Sequence, residues 1–387
     1  MSRTEPATFT RVASIDATLV RLPLVHPRSR GAAADPRPRF ARHALVRVAD
    51  DRGTSGWGEI PLAEPTRWRA LVECFAPALL RHSWHRPTEA AGAWAHLPRC
   101  PSVAAALDTA CWDLWSRQRG APLSHALGGA RTAITAGVTV GRQPSLDSLV
   151  REVNRQVGSG FRRIRLEIGP GWDIEVVRAV QDSYPFLVLQ VDARGRYTED
   201  PADLAALRAL DDYGLLAIEQ PFPDSDLAAH ARLCRDLHTP IALSTSIDSL
   251  ETLDEAIRLE AARSLNLRAV PLGGLTPARR AHDRAADAGW NVWCGSDTES
   301  GVGRAAAVAL ASLPGITLPS EMPGAGGYFA RDLVRPPVRA HDGIVPVPLL
   351  KPGLGHDIDR KTLRDLAVDS VSLSQQDRGP SRPEHSP

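Results

Sequence analysis

Lysine is almost missing from this chain. Of its 46 basic residues only Lys351 and Lys361 are lysines, and the other 44 are arginines. A mechanism that needs a lysine base or a lysine Schiff base before residue 351 is therefore excluded. Charge excess is missing too. Against 45 acidic residues the formal net charge is +1, so no nucleic-acid or anionic-membrane partner is expected. The first twenty residues lack a signal-peptide apolar core, and charges interrupt every window long enough to span a bilayer; a cytoplasmic protein is expected. The five cysteines, Cys74, Cys100, Cys111, Cys234 and Cys294, show no zinc or redox spacing and read as reduced thiols. No GxGxxG turn points to a dinucleotide. The twelve histidines, His238 and His282 among them, fall in loops or helices, and none reads as a general base.

What remains is ample for a globular protein. The chain has 387 residues, 43% of them hydrophobic, and can bury a large core without disulfide staples. To about residue 130 the pattern is α+β. Alternating strands are predicted at 13–20 and 44–48, a Pro- and Arg-rich loop at 26–39, and a helix over 103–119. Beyond residue 132, short apolar strands alternate with amphipathic helices. Strands are predicted at 134–140, 163–168, 187–192, 215–219, 241–244, 265–268, 292–295 and 316–318. Asp192, Glu219, Ser244 and Arg268 close four successive strands, 24 to 27 residues apart. That repeat predicts a (β/α) barrel, in which the C-terminal strand ends converge on one mouth. Another strand is expected at 343–348, and the segment from 369 to 387 is expected to be a disordered tail.

The ordered motifs resemble the enolase superfamily, in particular its muconate-lactonising branch. They are Gly56-Trp57-Gly58-Glu59, the helix Ala105 to Leu114, Gly120-Ala121-Pro122-Leu123, Gly169-Pro170-Gly171-Trp172-Asp173, Val191-Asp192-Ala193, Glu219-Gln220-Pro221, Gly273-Gly274-Leu275 and Glu299-Ser300-Gly301-Val302-Gly303-Arg304. The resemblance implies an α/β fold, a modified (β/α)7β barrel at 131–322. An α+β capping domain would be formed by 1–130 together with the returning segment 323–368. It also implies chemistry in which Mg²⁺ on three carboxylates and a lysine stabilise an enolate, because a proton α to a carboxylate is very weakly acidic.

At the positions that carry this chemistry the chain departs from the pattern. Asp192 and Glu219 occupy the first two metal positions, but Ser244 stands at the third. The second-strand Lys-x-Lys is Arg165-Leu166-Glu167, and the sixth-strand lysine is Arg268. Asp297 replaces an apolar residue at the last strand end. Glu167 reads either as a general base or acid or as the ion-pair partner of Arg165. Arg165 and Arg268 suit a substrate anion, or else neutralise the remaining acids. Asp297 is a substitute acid or a solvated capping carboxylate. Ser244 and His26, the latter on the loop that closes over substrates in this family, complete the candidate substrate-binding set.

The expected protein is a divergent isomerase, lyase or cyclase. It would act on a small carboxylate or carbonyl compound, with Glu167, Asp297 and Asp192 moving protons and without a full Mg²⁺ shell or any other cofactor. A homo-oligomer is expected. A non-catalytic barrel that only binds is the alternative, and an ordinary Mg²⁺-dependent relative comes third.

Overall fold

A computed structural model describes residues 9–25, 39–324 and 326–375. The predicted loop at 26–39, His26 included, lies outside the described residues except for Arg39.

The cap is an antiparallel sheet built from β1 (Ser14–Pro23), β2 (Phe40–Ala49) and β3 (Ser55–Ile60). Helix α1 (Pro101–Gln118) lies across it. The contact is close because β3 carries glycine where the helix crosses. A Cβ at Gly58 would collide with the Ala106 carbonyl oxygen, and one at Gly56 with that of Ala110. Val46, Val48, Leu107 and Cys111 fill this core and are fully buried.

The barrel strands are β4 (Ala133–Val140), β5 (Arg163–Glu167), β6 (Val188–Asp192), β7 (Ile218–Glu219), β8 (Ile241–Leu243), β9 (Ser264–Leu267), β10 (Asn291–Cys294) and β11 (Ser320–Glu321). All pair in parallel, in the order β10-β9-β8-β7-β6-β5-β4-β11. Thr317 and Leu318 donate backbone N–H groups to the Val292 carbonyl, which brings the two ends of the sheet together. Helices α2 (Leu146–Gly158), α3 (Ile174–Ser183), α4 (Pro201–Ala209), α5 (Leu227–Asp236), α6 (Leu250–Arg258), α7 (Leu275–Asp287) and α8 (Gly301–Ala311) connect the strands on the outside. Their starts carry the expected chemistry. Ser145 caps α2, and Ser249 forms a capping box on α6.

Two motif residues join cap to barrel. Glu59 on β3 accepts from Ser300 N (2.7 Å), Ser300 Oγ (2.8 Å) and Gly303 N (2.8 Å), so it holds the N-terminus of α8. Asp108 on α1 accepts from Thr276 N (2.9 Å) and Oγ1 (2.6 Å) at the start of α7. Both joints place the cap beside the barrel's C-terminal mouth.

Two sequence expectations are corrected here. The last barrel strand is Ser320–Glu321, not 316–318. The apolar run that suggested a strand marks burial instead, since Ile316 fills the core while Thr317 and Leu318 make no ladder beyond their bonds to Asn291 and Val292. The segment expected to be a disordered tail from residue 369 is ordered to Gln375, and residues 376–387 lie outside the described residues. After β12 (Ile344–Pro346), which pairs antiparallel with β4, strand β13 (Ala367–Ser374) adds to the cap sheet beside β1. Val371 and Leu373 supply the reason, because both pack against the cap core.

Candidate active site

Strand alternation puts Arg163 and Arg165 of β5, Gln190 and Asp192 of β6, Glu219 of β7 and Asn266 of β9 inside the barrel. Arg165 forms the centre of the network they make. Its Nη1 donates to Glu219 Oε2 at 2.5 Å and its Nε to Thr139 Oγ1 at 2.7 Å. Asp192 Oδ2 and Glu321 Oε2 lie 3.7 and 3.8 Å from the same guanidinium. Asn266 Nδ2 (2.7 Å) and Gln190 Nε2 (3.1 Å) complete the shell of Glu219. One layer below, Arg163 donates to Glu321 Oε2 (2.9 Å) and Gln190 Oε1 (2.6 Å) and packs over the Trp293 ring.

The electrostatics follow from this geometry. Burial pushes the Glu219 carboxyl up, but Arg165, bonded to it, wins and holds it below the ordinary range. Asp192 goes the other way. Burial and then the facing Glu219 push it to about 6, against the pull of Arg165 and Arg194.

Glu167 does not pair with Arg165. It reaches the rim, where Arg196 Nη2 donates to Oε1 at 2.5 Å and Arg194 Nε lies 3.5 Å from Oε2. Two strand positions separate Glu167 from Arg165 along the barrel axis, so Arg165 meets the carboxylates one layer down. Arg268 donates its Nε to Asp297 Oδ1 at 2.9 Å, with Nη2 on the same oxygen. Asp297 is thus neither free nor solvated, and Glu299, which accepts from Asp297 N (2.6 Å), fixes its loop. Ser244 is buried at the end of β8, its N–H bonded to Gln220 Oε1.

These residues do not fit a divalent cation. Magnesium needs several oxygens around one point, yet both Glu219 oxygens already accept from nitrogen donors. The third position is the Ser244 hydroxyl, and the positive charge between Asp192 and Glu219 is Arg165. Among the described residues no three His, Cys, Asp or Glu side chains are grouped to hold a metal ion.

Sequence reasoning missed Arg163, Gln190, Asn266, Glu321, Arg194 and Arg196. The first three sit two residues before Arg165, Asp192 and Arg268, so period-two alternation could have found them. Glu321 was hidden by placing the last strand too early. Arg194 and Arg196 follow Asp192 in a loop, where no periodicity operates.

Comparison with known proteins agrees with this architecture. Residues 148–362 match the family described as "Enolase C-terminal domain-like". An o-succinylbenzoate synthase of Geobacillus stearothermophilus is 40% identical, over 82% of this chain and 86% of the relative. An N-succinylamino acid racemase of Thermus thermophilus is 41% identical over 72% of this chain and 75% of its own. A crystal structure of an enolase-superfamily member from Listeria innocua superposes with a TM-score of 0.88 at 27% identity, covering 94% of this chain and 99% of that one. With its barrel, its cap and the two joints between them, the chain belongs to the enolase superfamily.

Proposed function

We propose that this protein is an acid–base enzyme of isomerase or lyase type, acting on a small carboxylate-bearing molecule, in which arginines meet the charge that a metal shell would otherwise meet. The observation that carries the reading is the mouth itself. Carboxylates and arginines alternate around the strand ends, and Asp192 sits between Arg165 and Arg194, 3.7 and 3.6 Å away. The named relatives, a synthase of o-succinylbenzoate and a racemase of N-succinylamino acids, support a substrate with a carboxylate next to a weakly acidic carbon.

In such a reaction a base takes the proton from that carbon, and the bonding pair moves onto the carboxylate oxygens. Asp192 and Glu167 are the groups placed to accept and return the proton. Neighbouring arginines stabilise the oxygens without themselves losing a proton. Asp297, held by Arg268, is the reserve acid.

The test is exchange of the α-proton of N-succinylamino acids for deuterium in D₂O, followed by proton NMR with EDTA and with added Mg²⁺. Exchange that survives EDTA supports the reading. Exchange lost on chelation and restored by Mg²⁺ overturns its metal-free part. A second reading, a barrel that binds and does not catalyse, is favoured by the mutual neutralisation of Arg165 and Glu219. It predicts ligand binding with no exchange in any arm.

A further inference from the structure

The geometry points to Arg194 as the residue that receives the substrate carboxylate at the mouth, a role that the sequence suggested for Arg165 and Arg268. This inference rests on the proposed function above.

The arginines already described at the mouth are committed. Arg165 bonds to Glu219 and Thr139, and Arg268 spends two nitrogens on Asp297. Arg196 gives Nη2 to Glu167 and Nη1 to the Ile168 carbonyl. Arg194 differs. Its Nε stands 3.5 Å from Glu167 Oε2 and 3.6 Å from Asp192 Oδ2, and its side chain is 51% exposed. Among the described residues its Nη groups have no hydrogen-bond partner, so the outer edge of the guanidinium faces solvent above the two proton-carrying groups. That edge offers two parallel N–H donors, the fork that fits a planar carboxylate.

The backbone gives an independent sign. Arg194 has φ +53°, in the left-handed region that is strained for a residue with a side chain and free to glycine. The turn is held there by Arg194 N on Asp192 Oδ1 (3.0 Å), Gly195 N on the Gln220 carbonyl (2.7 Å) and Arg196 N on the Ala193 carbonyl (3.1 Å). A long cation is thus fixed in a strained turn that aims it across the rim. A carboxylate on its outer edge directs the adjoining carbon toward Asp192, the arrangement that proton abstraction needs.

The experiment measures binding, so it does not depend on turnover. Isothermal titration would compare N-succinyl-L-valine with its α-carboxamide, which keeps the shape and removes the charge, on wild type, Arg194→Gln and Arg194→Lys. Wild type should prefer the acid. Arg194→Gln should weaken binding of the acid by about 10- to 100-fold, the loss expected for one or two charged hydrogen bonds, and leave the carboxamide nearly unchanged. Arg194→Lys should recover part of the loss as a point charge. Equal loss for acid and carboxamide would overturn the inference, because a merely structural turn would affect both. Unchanged binding of the acid by Arg194→Gln would overturn it as well, while leaving the proposed function standing. A wild type that binds neither probe would overturn both.

Discussion

Replacing Arg165 by Met should destabilise the barrel by about 3–5 kcal/mol, the cost of breaking one partner out of a buried ion pair. The side chains of Arg165 and Glu219 are only 10% and 2% exposed, so water cannot replace the lost partner. Glu219 would keep the neutral donors Asn266 and Gln190 but would face Asp192 and Glu321 with little compensation. With an unfolding entropy near 2.1 cal/mol/K per residue, a chain of this length loses about 0.8 kcal/mol for each degree, so Tm should fall by about 4–6 °C. The pH dependence has a sign. In wild type the Glu219 carboxyl is held below its ordinary 4.5, so its contribution is present above that value and is lost as pH falls through the folded pKa. In the variant the carboxyl rises above its unfolded value, so stability is lost as pH rises. The gap between the two proteins should therefore widen from pH 5 to pH 8. Differential scanning calorimetry across that range measures it, and Glu219→Gln in the Arg165→Met background should recover most of the loss. A variant with wild-type Tm and abolished ligand binding would refute the reasoning and return Arg165 to the substrate.

Glu167→Gln keeps the shape of the Arg196 contact and removes the titrating group; deuterium exchange should fall by about 10²–10⁴-fold with little change in Tm, and full exchange would remove Glu167 from the proton path. Asp192→Asn should abolish exchange yet stabilise the fold at pH 7 by about 3 kcal/mol, because a carboxyl titrating at about 6 instead of 3.8 penalises the native state as pH rises between those values. That gain should vanish below about pH 4 in urea titrations, and parallel stability curves would contradict the assignment. Gly58→Ala forces a methyl against the Ala106 carbonyl and should cost about 1–3 kcal/mol or more in chemical denaturation, loosening the cap before the barrel.

The barrel was legible in the sequence because its signal is local. Short apolar strands alternating with amphipathic helices, four of them ending 24 to 27 residues apart, predict the parallel sheet, and the strand ends at Asp192, Glu219, Ser244 and Arg268 converge because that architecture leaves them no other place. The near absence of lysine likewise excluded, without any structure, a lysine base before residue 351, and so at every barrel strand end. Pairing was not legible. Arg165 and Glu167 are neighbours on one strand face, yet one turns to Glu219 on β7 and the other to Arg196 in the loop after β6. Alternation fixes only which side of a strand a residue faces. Which charges meet depends on their height in the barrel, on inter-strand register and on the left-handed turn at Arg194, and these are properties of the closed ring. The same holds for Glu321 and β13, whose positions were set by partners more than 150 residues away. Side-chain direction is a local property of the chain, whereas the choice of counter-ion became decidable only once the strands had closed on one another.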